Sequence, residues 1–277
     1  MEKRILLPTD FSDNSWSAIV YALKLYNDEV CTFYFLHSTT LGVTTMTNLS
    51  NKLTTTIHET ALKELLELKE MAENSDANSN HRFEIILSSK DLNMAVDEAI
   101  IKYDIELIIM GTKGATGTEE FLFGTNTVHL INNISMCPVL VLPEDFDFVE
   151  PKEIAFPTDF NHFFSKNELE PLKQLADMYN AKIRIVHINV EEKLDNLQQY
   201  NLMVLKSYLF DYEHSFHWMP EYAKKTIELN NLKNVVIENL LLLPEYSLSC
   251  NTDNIDDDDS KPVLFPKENF IEMNLVF

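Results

Sequence analysis

Glycine is scarce in this 277-residue sequence: there are five, four of them (Gly111, Gly114, Gly117 and Gly124) crowd into one stretch, and none follows Gly124. Cysteine is scarcer. Cys31, Cys137 and Cys250 are odd in number and far apart, which excludes a disulfide framework or a thiolate metal site and fits incidental thiols in a reducing compartment. Positive charge is short as well, with 22 Lys and Arg against 44 Asp and Glu and a formal net charge of −22. That balance argues against nucleic acid or an anionic membrane as a partner, since either needs a basic face, and any bound polyphosphate must be held by local dipoles. No apolar run approaches the length of a membrane span, and the start MEKRILLPTD turns polar before a signal-peptide core can form, so a cytoplasmic protein is expected.

The stretch Met110 to Thr127, MGTKGATGTEEFLFGTNT, holds the glycines that are present. Before it, Ile105 to Met110 (IELIIM) reads as a buried parallel strand. After it, Thr125 to Ile134 places Val128, Ile131 and Ile134 at helical spacing behind a threonine that can cap. A glycine loop lets a ligand approach the main chain, and a helix N-terminus offers N–H groups and positive dipole, so the combination suits phosphate. The spacing is Gly111, two residues, Gly114, nine residues, Gly124, then the Thr125 hydroxyl. It is neither a Walker A loop nor G-x-G-x-x-G. On the loop alone, a glycine-rich turn without a ligand stays open.

In chain order, Lys3 to Leu7 is a first strand ending in Pro8-Thr9-Asp10-Phe11, and Ser12 to Leu25 carries Trp16, Ile19, Val20 and Leu23 on a helical repeat. Thr32 to Leu36 closes a βαβ unit expected to be parallel and right-handed. Ser38 to Thr56 has no clear period and reads as a loop or the approach to the amphipathic helix Ile57 to Met71. Phe83 to Leu87, helix Asn93 to Tyr103, the strand before the glycine loop and Pro138 to Leu142 complete five strands. Strands alternating with helices predict a doubly wound parallel sheet with its ligand outside the carboxyl ends of the strands, where Pro8 to Phe11, His37 to Thr39 and Gly111 to Thr127 meet.

An acidic linker, Glu144 to Pro151, precedes a repeat. Ile154 to Asn161 (IAFPTDFN) echoes Ile5 to Ser12 (ILLPTDFS), and Ile183 to His187 answers Phe33 to His37. Phe216 aligns with Phe83, Asn239 to Leu243 with Glu106 to Met110, and Pro262-Val263-Leu264 with Pro138-Val139-Leu140, which leaves the last connection nine residues shorter than its counterpart. Pro244 and Ser247 stand where loop glycines belong, and Asp256 to Asp259 would repel polyphosphate. The second copy is therefore expected to bind no nucleotide. Asn269 to Phe277 is open between a last strand and pairing with another chain.

The spacing G-x2-G-x9-G-T, the PTDF segment and the tandem repeat resemble the universal stress protein family, the first copy its ATP-binding branch. The resemblance implies two doubly wound five-stranded parallel-sheet domains, nucleotide-binding α-hydrolase-like and Rossmann-like, at 1–145 and 151–277, the second degenerate. It also implies that Pro8, Thr9 and Asp10 meet adenine and ribose, that Ser38 lies beside the base, and that Met110, Gly111 and Gly114 border ribose and phosphates. Gly124, Thr125, Asn126 and Thr127 would hold the phosphates, with Mg2+ between nucleotide oxygens. A homodimer, or two like domains pairing within one chain, is expected.

Plain structural roles stand beside these. Asp10 and Asp159 can cap the helices that follow, with capping favoured for Asp159. His37 and His187 end apolar strands and read as packed histidines. His214 and His217 have a spacing that reaches one metal on a helix but lack a third ligand, and Lys113 either screens phosphate or faces solvent. Three functions compete: an ATP-dependent regulatory or stress-response protein, an ATP-splitting enzyme, and a ligand-free interaction scaffold. The second wants a Ser-Gly-Gly-x-Asp-Ser loop where this chain has Pro-Thr-Asp-Phe-Ser-Asp, and no placed base or charge stabiliser is evident, so hydrolysis is expected to be slow at most.

Overall fold

The computed structural model describes residues 2–40, 51–111, 125–134, 136–142, 147–188, 194–219, 240–243 and 274–276. They fall into two compact units, one built from residues before 112 together with the segment 125–148, the other from residues after 148.

The first unit holds strands β1 (Lys3–Pro8), β2 (Cys31–Ser38), β3 (His81–Ser88), β4 (Leu107–Gly111) and β5 (Val139–Leu142). Their order is β3-β2-β1-β4-β5, and every neighbouring pair is parallel. Runs such as Ile5-Leu6-Leu7 and Ile108-Ile109 are buried throughout because helices cover both faces of such a sheet. Phe33, Phe35 and Phe83 stack at the centre of the β2–β3 pairing. The chain steps outward from β1 to β3 and then returns to the other side of β1, so strand order reverses between β1 and β4. A crevice opens at such a point.

Helix α1 (Asp13–Leu25) starts at the N-cap Ser12, whose side chain accepts from Ser15 N–H, and turns Asn14, Ala18, Ala22 and Leu25 inward. Helix α2 (Asn51–Ser75) begins earlier than the leucine pattern suggests, its first turns being polar, and buries Ala61, Leu65, Leu68 and Ala72. Helix α3 (Leu92–Tyr103) is capped by Asp91 and ends at Asp104 in the left-handed conformation. Helix α4 (Thr125–Asn133) presents Thr127, Leu130 and Ile131 to the core, with Ile134 just after it, while Val128 is exposed. Of the expected stripe, Ile131 and Ile134 are buried and Val128 is not; Thr127 and Leu130 complete the inward face.

The second unit repeats the topology. β6 (Glu153–Thr158), β7 (Lys182–Ile188), β8 (His214–Met219), β9 (Leu240–Leu243) and β10 (Asn274–Val276) lie in the order β8-β7-β6-β9-β10, and the pairs β8-β7, β7-β6, β6-β9 and β9-β10 are parallel. Helices α5 (Glu170–Tyr179) and α6 (Asn196–Tyr208) follow β6 and β7, and Phe156, Phe160, Leu172, Ile183 and Ile185 form the core.

Three sequence expectations change here. Asn274–Val276 takes the place beside β9 that β5 takes beside β4, so the end of the chain is a strand of its own sheet. The connection from Leu243 is then slightly longer than its counterpart, not nine residues shorter; Pro262–Leu264 and Asp256–Asp259 lie outside the described residues. Asp159 caps no helix: it accepts from Asn161 N and Nδ2, both at 2.8 Å, and α5 begins only at Glu170. His214 and His217 sit on β8, where an odd spacing sends side chains to opposite faces. His214 Nδ1 meets Tyr212 O at 2.9 Å, and His217 Nε2 meets Ser215 Oγ at 2.9 Å. They share no metal geometry.

Candidate functional site

The loop after β1 is built by a local device. Thr9 Oγ1 accepts from Phe11 N–H at 3.0 Å, and Phe11 takes a positive φ of 63°. The His37 ring packs 4.4 Å from that of Phe11, and its Nδ1 lies 2.8 Å from Thr9 O. The second unit reproduces it: Thr158 Oγ1 accepts from Phe160 N–H at 3.0 Å, Phe160 has φ 61°, and His187 stacks on Phe160 with Nδ1 2.8 Å from Thr158 O. Both histidines are therefore packed groups that hold the Pro-Thr-Asp-Phe turn. Burial pushes the His187 pKa below its usual value, against the opposing pull of its bond to Thr158 O.

In the first unit this turn borders a cleft of about 570 Å³. Pro8, Thr9 and Asp10 enter it from the end of β1, Ser38 from the end of β2, Met110 and Gly111 from the end of β4, and Asn126 and Thr127 from the start of α4. The structure thus brings eight of the expected site residues to one wall-and-floor arrangement outside the strand ends. Thr125 opens α4. Lys113, Gly114 and Gly124 lie outside the described residues.

Hydrogen bonding assigns these residues different tasks. Thr9 Oγ1 and Ser15 Oγ are 2.9 Å apart, Ser15 Oγ donates to Ser12 O at 2.8 Å, and Thr9 is buried, so its hydroxyl serves the turn. Asp10 accepts from Ser12 N–H at 3.1 Å and from the Ser12 hydroxyl, which makes it the brace of the N-cap rather than the cap itself. Ser38 Oγ donates to Lys90 O at 2.6 Å, which satisfies its polarity within the protein. Thr127 Oγ1 reaches Gly111 O at 3.5 Å and ties α4 to the end of β4.

Sequence reading missed Asn14, Asp91 and Thr40, all of which also border the cleft. Asn14 had a legible signal, because it heads the buried stripe Ala18, Ala22, Leu25 on a face where polarity needs a reason. A Cβ on Gly111 would stand 2.7 Å from Asn14 Nδ2 and 2.8 Å from Asn14 O and Oδ1. Glycine is required there by space. No group of three or more metal-ligating side chains occurs among the described residues, and none of their helices is long and apolar enough to cross a membrane.

A parallel sheet with its strand order reversing beside β1, helices on both faces and a polar cleft at the carboxyl edge define a doubly wound, Rossmann-like α/β protein. The model of the universal stress protein family matches residues 1–143, and the chain belongs to that family. Universal stress protein MJ0531 of Methanocaldococcus jannaschii is 29% identical over 143 residues, 50% of this chain and 81% of that protein. Among solved structures, a universal stress protein from Archaeoglobus fulgidus matches with a TM-score of 0.59 at 21% identity, covering 87% of this chain and 86% of its own. A functionally unknown protein from Pseudomonas aeruginosa matches with a TM-score of 0.54 at 11% identity, over 99% and 92%. At such identities the structures speak for the fold.

Proposed function

We propose that the first unit, residues 1–145, binds ATP in this cleft and that the protein acts as a nucleotide-dependent regulatory member of its family. The observation that carries the reading is the juxtaposition of the Pro8–Asp10 turn, the end of β4 and the start of α4 around a space of ordinary ligand size. The N-terminus of α4 supplies N–H groups and positive dipole where the glycine spacing predicts phosphates. Among the described lining residues there is no Lys or Arg, while Asp10 and Asp91 are present, so Mg2+ held by nucleotide oxygens would offset the phosphate charge. The hydroxyls and amide that face the cleft fit a sugar and a hydrated ion.

The proposal is binding without rapid turnover. His37 Nδ1 is engaged by Thr9 O, and hydrolysis needs a placed base and charge stabilisation of the transferred group. The second unit, residues 151–277, is proposed as nucleotide-free. Calorimetry with ATP and Mg2+ on the wild type and on a Gly114→Asp, Gly124→Asp double variant of verified fold tests this. One site per chain, abolished by the substitutions, is expected. Absence of binding to folded wild type would replace the proposal with a ligand-free scaffold, and substantial turnover would replace it with an ATPase.

A further inference from the structure

The inward stripe of α1 is apolar below its first turn and polar at its head. Ala18, Ala22 and Leu25 are buried at helical spacing, and Asn14, only 9% exposed, stands where a further apolar residue would continue them. Its Oδ1 is shielded from water and meets no hydrogen-bond donor among the described residues. The polar groups beside it are satisfied. Thr9, Ser12 and Ser15 close a chain of hydroxyl bonds, and Asp10 is engaged by Ser12. A buried amide oxygen without a donor lowers stability, and an apolar residue of similar size would remove that cost. The fold nevertheless makes room for the amide, since Gly111 leaves out the one atom that would collide with it.

Asn14 borders the cleft at the end of β4. What its oxygen lacks is a donor, and the phosphates of a bound nucleotide carry none. A sugar hydroxyl both donates and accepts, so the amide can meet it with either atom after rotation of the terminal torsion. Resting on the nucleotide reading above, we propose that Asn14 is a specificity-determining residue that bonds a ribose hydroxyl, so that the cleft selects ribonucleotides over their deoxy counterparts.

The test is calorimetry with Mg2+ on the full chain, titrating ATP, 2′-deoxyATP and 3′-deoxyATP into wild type, Asn14→Leu and Asn14→Ala. Wild type is expected to bind one deoxy analogue about tenfold more weakly than ATP. Asn14→Leu should weaken ATP by a similar factor and leave that analogue unchanged, because the same bond is already missing. Equal affinity of wild type for all three ligands overturns the assignment, and decides it even where neither variant folds. Losses that multiply fully between variant and analogue overturn it too. Failure of wild type to bind ATP overturns the nucleotide reading and the assignment with it, whereas binding without coupling removes the assignment alone.

Discussion

Gly111→Ala should destabilise the first unit through a contact read directly from the structure. The added Cβ would lie 2.8 Å from Asn14 O and Oδ1 and 2.7 Å from Nδ2, so about 0.6 Å of separation must be regained to reach an ordinary contact. The Asn14 amide can rotate aside. Its carbonyl cannot, because it belongs to the first turn of α1, and displacing it moves α1 against β4. Overpacking of this kind costs about 1–3 kcal/mol. For a unit of this size that corresponds to a melting temperature lower by roughly 4–8 °C, taking about 2 kcal/mol and about 2–4 °C per kcal/mol. Thermal unfolding by circular dichroism, with denaturant midpoints as a second measure, reads the loss. Adding Asn14→Ala removes the two side-chain approaches and should restore only part, since the carbonyl stays. A Gly111→Ala protein that unfolds at the wild-type temperature would refute the crowding argument.

The repeated turn yields two further expectations. Thr158→Val removes the acceptor of Phe160 N–H at a buried position and should cost about 1–3 kcal/mol, while Thr158→Ser should cost clearly less; equal midpoints for both variants in urea would contradict the role given to the hydroxyl. Desolvation lowers the folded-state pKa of His187, and desolvation followed by the Arg184 charge lowers that of His217, so the unfolded chain takes up protons first as pH falls below the ordinary histidine value of about 6.5. Stability is then fully present above that pH and declines below it. Denaturant midpoints measured from pH 7 to pH 5 should fall, and His187→Gln should flatten the slope; an unchanged slope would remove His187 from the balance.

The sequence by itself determined the class of fold. Continuous apolar runs such as Ile5-Leu6-Leu7 read as buried parallel strands because both faces of the sheet are covered, and the period of 3.6 residues in α1 to α4 follows from one-sided burial. The repeat of Pro-Thr-Asp-Phe with a histidine one strand on was legible because each copy satisfies the same local bonds. Eight of the expected residues border one cleft because they end strands or begin a helix, and chain order places such ends together in a doubly wound sheet.

Other features depend on partners remote in sequence. Pro262-Val263-Leu264 and Asn274-Leu275-Val276 are both apolar enough for a last strand along the chain, and it is the tertiary fold that pairs Asn274–Val276 with β9. Asp159 resembled a cap until the helix after it proved to start at Glu170. His214 and His217 changed meaning once β8 was a strand, since the period of side-chain direction became two. By composition Gly111 reads as a loop glycine that lets a ligand approach the main chain. Only the packing of α1 on β4 shows that it is glycine because Asn14 occupies the space its side chain would need, and that polarity at the head of a buried stripe faces a cleft rather than a core. Local bonding rules act over a few residues and can be read along the chain, whereas steric exclusion acts between atoms that only the tertiary fold brings within a few ångströms of each other.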